Sequence, residues 1–304
     1  MAKAKILGSG VATLDIYPKQ RRMYPGGNEY NVVCNAAFCG AEAGFMGVFG
    51  DDKAGQILEE TLQGIGVDTS KSHHEKGCSG YCIVELKEDG DRVFLMWNQE
   101  GVTDLYPISF TGEEIAYVKS FDVFAIGRLA DVSLERIRFL ASRGVAIEYD
   151  FHARYTDADI EAIAPYVTYA FFSCGQYEEQ ETKRILKKAV DAGCRIAVGT
   201  SGVDPVLAYD GANWYRQETC KVKATDTLGA GDSYIGAFLA NYLGTYAEMS
   251  DPGERIQKSL AAACAHSAHV VQIEGSIGIG YDVEPDQVSQ VLNKADLSKG
   301  VRSV

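Results

Sequence analysis

Four short apolar runs, at 121–126, 145–149, 168–172 and 194–199, are each followed by a polar, helix-forming stretch. This alternation constrains the fold more than any other feature of the chain. Parallel strands need long crossover connections, and helices supplying them cover both faces of the sheet, so the buried strands read as continuous apolar runs. The opening AKILGSG reads as another buried strand leaving through glycines, after which Val11 to Tyr17 carries an Asp at position 15; residues 44–49 suit one strand more. Apolar residues recur at helical spacing over 29–39 and 52–65, the second helix capped by Asp51 or Asp52. Long helices are predicted over 230–242 and 252–272.

Two segments break the pattern. Residues 78–98 alternate in strand fashion around KEDG, a hairpin signal, and so predict an antiparallel flap. Residues 205–209 and 213–217 flank Asp210-Gly211, a second hairpin signal. The tail after Gly275 has weak periodicity apart from a helix expected at about 286–292, and no role is assigned to it.

Several classes of function are excluded early. Lys plus Arg number 29 against 42 Asp plus Glu, a net charge of −13, and no basic patch is visible, so nucleic acid is not an expected partner. Any phosphate site must then be built from local dipoles and bound metal. No stretch approaches the roughly twenty apolar residues that cross a bilayer. The eight cysteines (34, 39, 78, 82, 174, 194, 220 and 264) are scattered through apolar stretches without a CxxC pair or a secretory signal, which fits free thiols and a soluble cytoplasmic protein. Gly8-Ser9-Gly10 lacks the third glycine of a dinucleotide fingerprint, because Thr13 stands there. His266 and His269 share a helix face but lack a third zinc ligand, and His73-His74 is expected in solvent.

Chemistry concentrates in TDTLGAGDS at 225–233, between a strand-like stretch and a predicted helix. Small residues at Gly229, Ala230 and Gly231 let the backbone approach a ligand, and successive N–H groups at a helix start gather phosphate charge. A negatively charged transition state would be stabilised there without a basic side chain. Asp232, in the first turn, would be held ionised by the helix dipole and could accept a proton from an attacking hydroxyl. Taken locally, a Gly-rich turn with an Asp at the helix start explains the same letters equally well.

GGNEYN at 26–31, GVFGDD at 47–52, Gly55 and GVD at 66–68 precede this segment. With TDTLGAGDS they resemble the N- and C-terminal signatures of the ribokinase-like (PfkB) carbohydrate kinases, in the right order and across nearly the whole chain. The resemblance implies a single α/β kinase domain over 1–304, a doubly wound, mostly parallel sheet with a small antiparallel β lid built mainly from about 12–25 and 78–101. It implies ATP as donor, Mg²⁺ and a monovalent cation such as K⁺ as helpers, a sugar-type acceptor, and a homodimer. Ile83, Val93, Leu95 and Trp97 in the flap are material for that dimer or for covering substrate.

Carried over residue by residue, the resemblance makes Asp232 the catalytic base and Gly229, Ala230 and Gly231 the anion hole. It places Asp15, Gly26, Gly27, Asn28, Asn31 and the flap residue Arg92 at the sugar, where hydroxyls want paired acceptors and amides. Thr200, Gly202, Thr227, Gly229, Gly231 and Cys264 fall on the ATP side. The family's Asn-x-x-Glu motif for water-linked magnesium is matched by Gln176 and Glu179, with Gln in place of Asn. Without the resemblance, Asp15 reads as a turn residue, Glu179 as a surface carboxylate and Cys264 as packing.

GGNEYNV, DRVF, DGANWYRQ and ATDTLGAGDS are most similar to the fructosamine-phosphorylating branch of the family. That likeness implies transfer to the 6-hydroxyl of a fructosamine. Glu29 and Glu100 would face its ammonium groups, or else are ordinary solvated charges. Fructose, ribose or nucleoside phosphorylation uses the same machinery, and a non-catalytic sugar sensor is the alternative of another class.

Overall fold

The computed structural model describes residues 3–87, 92–98 and 101–284. The chain begins with β1 (Lys5–Gly8), crosses the lid as β2 (Thr13–Tyr17) and β3 (Arg22–Gly26), and returns through α1 (Asn28–Phe38) to β4 (Glu42–Phe45). β5 (Val48–Gly50), α2 (Lys53–Ile65) and β6 (His73–Glu75) lead to the lid strands β7 (Gly80–Leu86) and β8 (Arg92–Trp97). The short helices α3 (Val102–Leu105) and α4 (Gly112–Val118) then open a run of strand–helix units: β9 (Val123–Gly127), α5 (Leu134–Ser142), β10 (Ile147–Asp150), α6 (Asp157–Ile163), β11 (Tyr169–Ser173), α7 (Glu179–Ala192) and β12 (Ile196–Ser201). The hairpin β13 (Asp204–Tyr209) and β14 (Trp214–Gln217), the helices α8 (Ala230–Ala240) and α9 (Pro252–Val270), and β15 (Tyr281–Asp282) complete the described elements.

Among the described residues the main sheet has the order β14-β13-β12-β11-β10-β9-β1-β4. All pairs from β12 to β4 are parallel, and the β13–β14 hairpin forms an antiparallel edge. Period-two alternation divides its side chains between two cores. Ile6, Val123, Ala125, Phe171 and Val198 face the core shared with residues of α1, α8 and α9. Leu7, Phe124, Ile126, Ile147, Tyr149 and Phe172 face the core that takes in residues of α5, α6 and α7. Helices thus cover both faces, as the apolar runs require. Phe238 of α8 is fully buried and meets Phe171 edge-on at 5.6 Å; burying such a ring contributes about 1.5–3 kcal/mol.

Local signals fix several boundaries. Asp52 caps α2 by accepting from the Gly55 N–H at 2.8 Å, and Asp251 caps α9 with Pro252 following at the first helical position. The helix predicted over 230–242 instead changes to a π-turn (Asn241–Thr245), where the Asn241 side chain donates to Ala237 O at 2.9 Å.

The run at 44–49 is two strands, not one. It leaves the main sheet at Met46, whose N–H donates to Gly8 O at 2.9 Å, and resumes as β5 paired with β6. His73 and His74 lie in β6, where half-buried His73 pairs with Glu114 (2.6 Å) while His74 is exposed as expected and pairs with Glu59 (2.8 Å).

The lid has the order β15-β3-β2-β7-β8. It is antiparallel except for the β2–β7 pair, which is parallel because a long excursion separates those strands. β15 comes from the tail given no role by sequence, and pairs Tyr281 with Met23. Ile83 is buried inside the fold while Val93 is exposed, so the two do not form one outward surface. The tip of the flap at 88–91, Glu100 and the helix expected at about 286–292 lie outside the described residues.

Candidate active site

In an open parallel sheet, ligands bind beyond the strand carboxyl ends where the strand order reverses. Here that point lies between β1 and β9, since the chain builds outward from β1 to β4 on one side and from β9 onward on the other. The N-termini of α1 and α8 meet above it. Their approach depends on Gly236, because a Cβ there would lie 2.3 Å from Val32 O of α1.

Asp232 occupies the first turn of α8 and is 7% exposed. Gly229 precedes that turn with φ 73°, a left-handed conformation suited to glycine, and a Cβ there would strike Ser276 at 2.4 Å. Asn31 donates from Nδ2 to Asp232 Oδ2 at 2.8 Å, and Asn28 from Nδ2 to Oδ1 at 3.2 Å. Ser276 Oγ donates to Asn31 Oδ1 at 2.6 Å, so the tail contributes to the site.

Burial, helped by nearby Asp150, raises the Asp232 pKa to about 6, against the Asn31 hydrogen bond and the neighbouring His152 and Arg92 side chains. The sequence-level expectation of a carboxylate simply held ionised by the helix dipole needs this correction: desolvation dominates. The result is a group still ionised at neutrality but more basic than a free Asp, which suits general-base work.

Asp15 lies in β2, buried, against Gly26 at the end of β3; a Cβ on Gly26 would sit 2.4 Å from Asp15 Oδ2. Gly27 is the N-cap of α1. Burial and then Asp226 raise the Asp15 pKa to about 7, while the Thr13 hydroxyl, donating at 3.4 Å, lowers it. Arg92 of β8 donates from Nη1 to Thr227 Oγ1 at 3.0 Å, joining the lid to the loop before α8. Asp226 reinforces this joint: its carboxylate accepts from Tyr17 Oη (2.8 Å), Leu228 N (2.9 Å) and Gly275 N (3.1 Å).

Glu29 is buried, not solvated. It accepts from Val11 N at 3.2 Å and faces Gly10 and Gly127, and burial raises its pKa to about 7 against its own backbone amide and His152.

Sequence reasoning missed Glu148, Asp150 and His152, which β10 delivers to the same place. Glu148 is fully buried, its Oε1 has no partner among the described residues, and burial with nearby Asp150, Glu29 and Asp232 pushes its pKa well up. His152 Nε2 lies 3.0 Å from Asn28 Nδ2 and 3.3 Å from Asp150 Oδ2. The available signal was the alternation of Glu148, Asp150 and His152 with aromatic residues at the carboxyl end of an apolar strand, where crevice residues belong.

The remaining candidates lie away from Asp232. Thr200 ends β12 and its hydroxyl donates to Phe172 O at 3.4 Å. Gly202 turns into β13 with φ 62°. Thr219 ties that turn to the following segment by donating to Val203 O at 2.5 Å, and Cys220 N donates to Cys264 Sγ of α9 at 3.3 Å. Thr200, Gly202 and Cys264 therefore border one segment.

Gln176 donates to Ala153 O at 3.0 Å. Glu179 heads α7, half exposed, with its carboxylate on Lys183 (2.7 Å) and Arg216 (2.6 Å). No contact joins these two to the Asp232 cluster among the described residues. A separate cavity of about 400 Å³, lined by Asn35, Phe38, His266, His269 and Ile273 among others, includes none of the residues that contact Asp232.

The pfkB family carbohydrate kinase profile matches residues 8–280. The chain is 28% identical over 277 residues to a fructosamine kinase of Bacillus subtilis, covering 91% of this chain and 94% of that protein. It is 30% identical over 266 residues to a fructoselysine 6-kinase of Escherichia coli, covering 86% and 95%. A fructokinase from Xylella fastidiosa, solved with bound ATP, shares the fold at TM-score 0.73 and 19% identity, over 96% of this chain and 99% of that one. A ribokinase from Arabidopsis thaliana, complexed with ribose and ATP, does so at TM-score 0.75 and 18% identity, over 97% and 100%.

Proposed function

The chain belongs to the pfkB family of carbohydrate kinases, and we propose that it transfers the γ-phosphoryl of ATP to the 6-hydroxyl of a fructosamine such as fructoselysine. The observation that carries this reading is the buried Asp232 carboxylate, fed by Asn28 and Asn31, in the first turn of a helix that starts at Gly229.

In the proposal Asp232 takes the proton of the attacking hydroxyl, and the turn of Gly229, Ala230 and Gly231 forms the anion hole; the Ala230 amide donates to Thr227 O at 3.3 Å, which leaves the next amides of the first turn, without intrahelical acceptors, to stabilise the migrating negative charge. A Cβ at Gly231 would meet nothing within 4 Å, so the space over this turn is open to phosphate. When bound, MgATP supplies the phosphoryl group and charge neutralisation. Thr200, Gly202, Thr227, Gly229, Gly231 and Cys264 would hold the nucleotide. Glu179 and Gln176 would reach the metal through water; exposed ion pairs such as those of Glu179 hold a carboxylate weakly against a divalent cation. Asp15, Gly26, Gly27, Asn28, Asn31 and Arg92 would bind and orient the sugar beneath the lid.

The choice of a fructosamine is supported by the two relatives described above and by charge. Asp15, Glu29, Glu148, Asp150 and Asp232 converge, and among the described residues the positive charges that act on them are Arg92 and, when protonated, His152. An acceptor bearing a secondary ammonium offsets that excess, and a neutral sugar does not.

ADP release with fructoselysine, other fructosamines, fructose, ribose and adenosine tests the reading. It predicts the highest kcat/KM on a fructosamine, whereas a preference for fructose, ribose or adenosine contradicts the substrate and leaves the kinase reading standing. ADP release with no acceptor on the panel contradicts both. Omitting K⁺ from the same assay checks monovalent-cation activation.

A further inference from the structure

We infer that His152 is a positioning residue: its neutral ring fixes the Asn28 amide so that an N–H, not the carbonyl, faces Asp232. The inference rests on the proposed role of Asp232 as base. Asn31 needs no such partner, because the Ser276 hydroxyl at its Oδ1 leaves only its amino end for Asp232. The amide of Asn28 sits instead between two groups, with Nδ2 3.2 Å from Asp232 Oδ1 and 3.0 Å from His152 Nε2. An amide nitrogen offers only hydrogens, so Nε2 accepts from Asn28 with the ring proton on Nδ1, against the pull of Asp150 Oδ2, which lies farther from the same atom at 3.3 Å. The ring is held there by backbone: His152 takes φ 58°, rare for a residue with a side chain, and its N–H donates to Asp150 Oδ1 at 2.8 Å.

Protonating His152 reverses the arrangement. An Nε2–H would oppose the Asn28 amino group, favouring a turned amide whose carbonyl faces Asp232 Oδ1. Two acceptors at that distance repel, so Asn28 no longer holds the ionised carboxylate, and turnover requires both groups without their protons even though the two opposite charges attract. The groups facing the ring are Asp150 from β10, Asp232 from α8, Glu29 from α1 and Arg128 after β9. Burial opposes its proton, and the three carboxylates outweigh burial and Arg128, so its pKa is raised. Activity should therefore fall on the acid side with two protons rather than one.

The test is the pH profile of kcat/KM for the wild type, His152→Gln and His152→Leu, with Asp232→Asn alongside and ATP binding measured for each. The Gln carbonyl can accept from Asn28 without titrating. The expected acid limb has a slope approaching two in the wild type and one in His152→Gln, with alkaline turnover of the latter reduced about threefold; His152→Leu loses about tenfold in kcat with little change in ATP affinity. A wild-type slope of one, an unchanged slope in His152→Gln, or equal turnover of the Leu and Gln variants overturns the inference. If Asp232→Asn turns over normally, the reading of Asp232 fails and this inference with it. An inactive Asp232→Asn beside an unchanged His152→Gln profile removes the His152 inference alone.

Discussion

The carboxylate at 232, the proposed base, sits in the balance of two effects at single residues. Burial lifts its pKa, and the amide donor of Asn31, with His152 and Arg92 behind it, keeps it from rising so far that it would be protonated at neutrality. Asp15 and Glu29, where burial is opposed less, sit near 7. We expect Glu29→Gln to reduce kcat/KM on a fructosamine by about tenfold, the worth of one lost charge contact, and on fructose by less. Parallel kinetics on the two acceptors check this, and equal losses would remove Glu29 from ammonium recognition. Asp232, Asp15, Asn28 and Asn31 were legible in the sequence because they stand inside recognisable segments. His152, Glu148 and Ser276 were not, since a strand end and an aperiodic tail carry no pattern that says which crevice they enter. Glu29 was legible as a candidate only; its burial follows from contacts with Gly10 and Gly127, which are remote from it in the chain.

Between elements, the decisive contact is the crossing of α1 and α8, which sets the spacing between the asparagines and Asp232. Periodicity predicted both helices to within a few residues but is silent on their pairing. Gly236 reads there as a mere weak point in a helix. It is in fact where α8 touches the α1 backbone, and Gly236→Ala must push the helices apart. We predict a destabilisation of about 1–3 kcal/mol together with a fall in kcat larger than any change in ATP affinity. Thermal melts, kinetics and ATP titration on this variant check the point; unchanged kcat would mean that the crossing does not set the site. The four main-sheet strands lie one or two residues later than the apolar runs, because each run begins before pairing does and pairing continues into the polar or glycine residues that follow. The lid gained β15 because a two-residue strand has no periodicity to detect.

Across the whole molecule, the site's carboxylates tax stability. Asp15, Glu29 and Asp232 have folded pKa values of about 7, 7 and 6, above their ordinary values, so the folded state holds protons that the unfolded chain releases. Their contribution is greatest below the unfolded carboxylate range and is lost as pH rises through the folded values, from about pH 4 to about pH 7. Tm should accordingly fall between about pH 5 and about pH 8, and Asp15→Asn should flatten that fall; a wild-type Tm that rises across the interval would contradict the assignment. The strand–helix alternation made the parallel sheet legible, and the two end segments made the family legible. The depth at which the carboxylates lie was not, because it depends on how α1, α8, the lid and the tail close over them. The most direct test of the account is single-turnover phosphorylation of the acceptor by Asp232→Asn, with ATP affinity measured on the same preparation. The account predicts ATP binding close to wild type and a loss of phosphoryl transfer of at least roughly a thousandfold; transfer at the wild-type rate would contradict it.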